Sequence, residues 1–78
     1  MQEVEIAQIV DARGLNCPMP LLKTKQALHK LAVGDVLKVL ATDAGSVRDI
    51  KAFTDQSDHV LLESFTDTSE YIYLIRRG

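Results

Sequence analysis

The spacing of hydrophobic residues along this chain switches between two periods, and each switch marks a new element. Val4 to Val10 predicts a first strand, with Val4, Ile6 and Val10 on one face. From Pro18 to about Ala32 the spacing becomes helical. Leu21, Thr24, Leu28, Leu31 and Ala32 share one face there, and Lys23, Gln26 and Lys30 lie opposite. Pro18 fits the first turn, where its missing N–H is not needed. Gly34 is placed to close the helix in a left-handed conformation. Val36 to Thr42 is an apolar run broken by Lys38, which reads as a buried central strand. Thr42-Asp43-Ala44-Gly45-Ser46 holds the cap of a second helix, with Asp43 or Ser46 as the N-cap. Ser46 and Asp49 have the spacing of a capping box. Val47, Ile50, Phe53 and Thr54 give this helix its apolar face. His59 to Phe65 and Tyr71 to Ile75 are two more strands, and the polar Asp67-Thr68-Ser69 between them predicts an antiparallel hairpin.

The resulting order is β-α-β-α-β-β. It predicts an α/β (α+β) two-layer sandwich, with two helices on one face of a four-stranded mixed sheet. A single domain over residues 1–78 is expected. The other face of the sheet receives no helix from this chain, so it must be partly polar or covered by a partner.

Composition changes this picture little. The chain is 46% hydrophobic and 26% charged, ordinary values for a soluble globular protein. No apolar stretch approaches the ~20 residues of a membrane span. Glu3 and Glu5, with no basic segment, do not make a signal peptide. The charge distribution is less ordinary. Residues 13–38 carry Arg13, Lys23, Lys25, Lys30 and Lys38 against Asp35, whereas residues 43–70 carry seven carboxylates against Arg48 and Lys51. Such asymmetry can orient a charged partner.

The candidate chemistry lies between the first strand and the first helix. The chain has one cysteine, Cys17, within Asp11-Ala12-Arg13-Gly14-Leu15-Asn16-Cys17-Pro18-Met19-Pro20. A thiol at a helix N-terminus meets positive partial charge, so a lowered thiolate pKa is expected. Gly14 permits a positive-φ turn. Asn16 tolerates the left-handed region and can bond nearby backbone. Pro18 and Pro20, at roughly the first and third helical positions, stiffen the start of the helix and remove two N–H donors. The field at the sulfur then rests on the Met19 and Leu21 N–H groups and on Arg13, Lys23 or Arg48. With no second thiol, an internal disulfide or dithiol cycle is impossible, and a cytoplasmic, reducing location is expected. Cys17, His29 and His59 have no zinc-site spacing. A single unresolved thiol can instead hold a group and pass it on, and the cargo that fits is sulfur, carried as a covalent persulfide with no separate cofactor.

The segment from Asp11 to Pro20 resembles the Cys-Pro-x-Pro signature of the TusA/SirA-like sulfur-carrier family. Val33-Gly34-Asp35, Thr42-Asp43-Ala44, Arg48-Asp49-Ile50 and Tyr73-Leu74-Ile75-Arg76 fall where that family has similar segments. Ala44-Gly45 departs from it, because family members commonly have proline after that aspartate. The resemblance implies a fold like the C-terminal domain of translation initiation factor 3. It implies that Cys17 takes sulfur from a cysteine desulfurase and relays it to a downstream acceptor protein. It further implies that Pro18 and Pro20 shape the helix start while Gly14 and Asp11 set the approach. In the best-known branch the route leads to 2-thiouridine in tRNA; other branches look linked to molybdenum-cofactor enzymes, sulfur oxidation or selenium handling.

Two other functions compete. An RNA-binding module would exploit the basic stretch at 13–38, but a net charge of −2 and a pI near 5.5 argue against direct nucleic-acid binding. A regulatory adaptor would use Cys17 only as a redox-sensitive switch. A monomer with no membrane partner is expected.

Overall fold

The computed structural model describes residues 5–78. The elements are β1 (Ile6–Ala12), α1 (Met19–Lys30), β2 (Val36–Ala41), α2 (Gly45–Asp55), β3 (Val60–Asp67) and β4 (Glu70–Arg76). The strands form one sheet in the order β1-β2-β4-β3. β1 runs parallel to β2, while β4 runs antiparallel to both β2 and β3. The fold is therefore a two-helix, four-stranded mixed-sheet sandwich of the α+β class.

Alternation along the strands sorts the two faces of the sheet. Leu37, Val39 and Ala41 of β2 and Tyr73 and Ile75 of β4 are buried beneath the helices, joined by Val10 and Ala12 of β1. Leu28 of α1 and Ile50 of α2 close the core from above. Each such large aliphatic side chain contributes about 1.5–3 kcal/mol by leaving water. The opposite face mixes apolar and charged residues. Ile9 pairs with Lys38, Lys38 with Leu74, and Leu74 with Glu63. Ile9 and Phe65 remain 57% and 46% exposed, so this face is partly polar and partly open.

Several boundaries differ from the sequence reading. Val4 lies outside the described residues. β1 continues past Val10 to Ala12, and a register shift between Ile6 and Gln8 interrupts its alternation. α1 stops at Lys30, because Leu31 is already extended at φ −91, ψ 160. Ala32 is consequently exposed rather than on the apolar stripe, and Ala27 is buried in the stripe. Gly34 does take positive φ (+95), but it shapes the turn into β2, where its N–H donates to the Arg77 carbonyl at 2.9 Å. In the hairpin the strands approach more closely than the polar run suggested. Asp67 pairs with Glu70, so Thr68 and Ser69 alone make the turn. Thr68 has φ 59, an uncommon region for a β-branched residue.

Neither expected cap forms on α2. Ala44 is the N-cap, with no side-chain hydrogen bond to the helix. Ser46 instead is 1% exposed and shares a 2.6 Å hydroxyl–hydroxyl hydrogen bond with Tyr73. Burial pushes the Tyr73 phenol pKa up, against the lowering effect of that bond. Asp43 and Asp49 turn toward Cys17.

Candidate functional site

Because β1 and β2 are parallel neighbours, the loops that leave their C-terminal ends emerge side by side. Three hydrogen bonds tie the first of these loops to the second and to the helix α2 that follows it. The Gly14 N–H donates to Thr42 Oγ1 at 2.8 Å. The Cys17 N–H donates to Asp43 Oδ2 at 3.1 Å. The Cys17 thiol donates to Asp49 Oδ2. Gly14 adopts φ +80, which supplies the positive-φ turn its residue type allows. Asn16 does not enter the positive-φ region; its carbonyl accepts the Met19 N–H at 2.8 Å. Pro18 is the N-cap of α1 and Pro20 lies in its first turn, one position earlier than expected. The Cys17–Pro18 peptide is cis. Cys17 is exposed, just ahead of the helix.

The electrostatics at the sulfur reverse the expected sign. The hydrogen bond to Asp49 raises the Cys17 pKa most, followed by local desolvation and by the charges of Asp49 and Asp43; Arg48 alone opposes them. The start of α1 offers the sulfur little positive field, for a geometric reason. Prolines occupy positions 18 and 20, and the Met19 N–H is already donated to Asn16. What reaches the thiol is a pair of carboxylates from the second loop and helix. These surroundings favour the thiol of Cys17 over its thiolate.

The other expected supporting residues divide. Arg13 is engaged by carboxylates other than those at the sulfur. It donates through Nε and Nη2 to Asp11 at 2.9 and 2.8 Å, and reaches Glu70 at 3.4 Å. That pairing, led by the side-chain hydrogen bonds, holds the Asp11 carboxyl at about 2, below its ordinary 3.8. Lys23 lines a groove between α1 and β1 with Gln8, Gln26 and Lys30. Only Arg48 acts electrostatically on Cys17, from a side chain 85% exposed. Among the described residues, no group of three or more His, Cys, Asp or Glu side chains is arranged to hold a metal ion.

Three participants were missed in the sequence. Asp43 and Asp49 were read as cap residues because their spacing to the second helix matched a cap. Gly45 lets the start of α2 approach the thiol: a Cβ there would lie 3.0 Å from Asp43 Oδ2 and 3.5 Å from Cys17 Cβ. Their separation from Cys17 along the chain hid all three. Beside the thiol, a groove of about 350 Å³ runs between the helices from Asp49 past Leu21, Lys25, Ala52 and Phe53. Met19 and Leu22 on the first turn of α1 and Val47 on that of α2 stay 41%, 41% and 44% exposed.

A one-thiol site presented on paired loops has relatives. The family described as Sulfurtransferase TusA matches residues 8–77. The chain belongs to the TusA family. It is 44% identical over 71 residues to the sulfur carrier protein TusA of Allochromatium vinosum, an alignment covering 91% of this chain and 93% of that one. A crystal structure of the SirA-like protein of Desulfitobacterium hafniense superposes with a TM-score of 0.80. That match has 26% identity and covers 91% of this chain and 97% of the other. As a TusA-family member the chain is homologous to sulfur carriers, and such a carrier needs a sulfur donor and an acceptor. Among the described residues, no helix is long and apolar enough to cross a membrane.

Proposed function

We propose that this chain carries sulfur as a persulfide on Cys17, taking it from a cysteine desulfurase and passing it to a downstream acceptor. The observation that carries the reading is an exposed, solitary thiol on a loop bonded to its neighbour, in a member of the TusA family. In loading, Cys17 sulfur attacks the outer sulfur of the donor persulfide; the new S–S bond forms on Cys17 and the donor cysteine leaves as thiol. In release, an acceptor thiolate attacks the outer sulfur of the Cys17 persulfide, and Cys17 leaves in turn. No external oxidant is needed in either step, because sulfane sulfur is exchanged between thiols.

The site suits a carrier better than an enzyme with its own substrate pocket. The sulfur lies at the surface, and the exposed Met19, Leu22 and Val47 offer apolar contacts to a docking protein. The carrier works in a reducing cytosol, and its acceptor serves 2-thiouridine formation in tRNA or another sulfur-trafficking route. Incubation with a cysteine desulfurase and cysteine, followed by intact-protein mass spectrometry, tests it. The expected result is a gain of one sulfur atom that Cys17→Ser abolishes. A chain that stays unmodified while the desulfurase turns over overturns the reading.

A further inference from the structure

Asp49 is the side chain that meets the reacting atom itself. Its two oxygens have different surroundings. Oδ2 accepts the Cys17 thiol hydrogen, and Oδ1 lies 3.8 Å from Arg48 Nε. Asp49 is 19% exposed, whereas Arg48 reaches into solvent at 85%. The carboxylate is thus held in place while its cation is not, and so loose an ion pair contributes little. The other charged groups around the pair are Asp43, which holds the Cys17 N–H from the preceding loop, and Lys25 of α1. Lys25 lines the groove with Asp49 but sits 5.3 Å above the Phe53 ring.

A carboxylate in contact with a thiol has two opposed effects. It disfavours the thiolate through charge and through its bond to the S–H form. It also places a base on the one proton that must leave before the sulfur can attack. We propose that Asp49 is a catalytic base of sulfur loading: it takes the Cys17 proton as Cys17 attacks, and returns it to the departing sulfur of the donor. This rests on the carrier reading above.

The step balances. Cys17–SH and a donor R–S–SH give Cys17–S–SH and R–SH. The Cys17 Sγ–S bond forms as the donor S–S bond breaks. The bonding pair goes to the inner donor sulfur, which collects the proton held by Asp49. In the absence of a donor, the same contact keeps the thiol neutral and slow toward stray electrophiles. The site therefore separates general thiol reactivity from sulfur acceptance.

The separation is what makes the proposal testable. Glutathione persulfide serves as a donor that needs no protein docking. Single-turnover sulfur acceptance by mass spectrometry and iodoacetamide alkylation are followed from about pH 6 to about pH 9, below and around the usual thiol pKa. For Asp49→Asn, alkylation near neutral pH should rise several-fold while sulfur acceptance falls about 100-fold. Its residual acceptance should climb about tenfold per pH unit, as free thiolate does below its pKa, whereas the native chain stays nearly flat. Asp49→Glu keeps a carboxylate and should recover part of the acceptance, which separates loss of a base from loss of the fold. If Asp49→Asn accepts sulfur as fast as the native chain, or faster in step with its alkylation, the carboxylate only suppresses the thiolate and the proposal is overturned. A native chain that loads from neither glutathione persulfide nor a desulfurase overturns the carrier reading itself, and this proposal with it.

Discussion

The N-terminal half of α2 faces two ways, and its two sides use the same kind of bond for different ends. On the inner side Ser46 bonds to Tyr73, each 1% exposed, beneath the helices and above the sheet. On the outer side Asp49 bonds to Cys17 at the surface. Inside, each hydroxyl is the other's partner away from water, so breaking the pair leaves a buried polar group unsatisfied. Outside, water can replace either partner, so breaking the pair costs little stability but changes what the sulfur does. The start of one helix therefore belongs to the core on one side and to the chemistry on the other.

Variants can test whether the two sides are as independent as this comparison holds. The largest expected effect is Ile50→Ala, which empties a fully buried position on the inner side. It should cost about 2–5 kcal/mol in urea denaturation. Cys17 alkylation under native conditions should stay unchanged. Tyr73→Phe comes next. It leaves the Ser46 hydroxyl without its partner and should cost about 1–3 kcal/mol, again with no change at the thiol. A faster-reacting Cys17 in either variant would show that the sides are coupled through α2.

On the outer side Asp43→Ala removes the acceptor of the Cys17 N–H and one of the charges that oppose the thiolate. The expected cost is about 1 kcal/mol or less, with alkylation at neutral pH rising severalfold because the thiol pKa falls. A large loss of stability with unchanged alkylation would invert the comparison. The smallest effect concerns Asp11, near the end of β1. Its folded pKa of about 2 lies below the ordinary 3.8, so the Arg13 pairing favours the folded state above about pH 3.8 and is lost as pH falls toward 2. Arg13→Gln should return the Asp11 carboxyl toward its ordinary value in an NMR titration and leave Cys17 alone. A shift in Cys17 reactivity would mean that Arg13 acts at the sulfur after all.

The sequence by itself determined the elements, their order and the reactive atom. Period two and period 3.6 are local properties of backbone geometry, so β2, α2 and the hairpin strands could be read within a few residues. The solitary Cys17 beside Pro18 and Pro20 needed no structure to stand out. Helix ends were less legible, because α1 stops where Leu31 becomes extended rather than where apolar spacing ends. Tertiary structure alone decided the neighbours of the thiol. The parallel pairing of β1 with β2 brings Asp43 and Asp49 to a residue 26 and 32 positions away. The placement of β4 beside β2 in the same sheet likewise brings Glu70 to Arg13, which already pairs locally with Asp11. Electrostatic sign depends on distance through space, and periodicity carries no information about that. A helix terminus beside the sulfur predicts a lowered pKa; the fold places two carboxylates there and raises it.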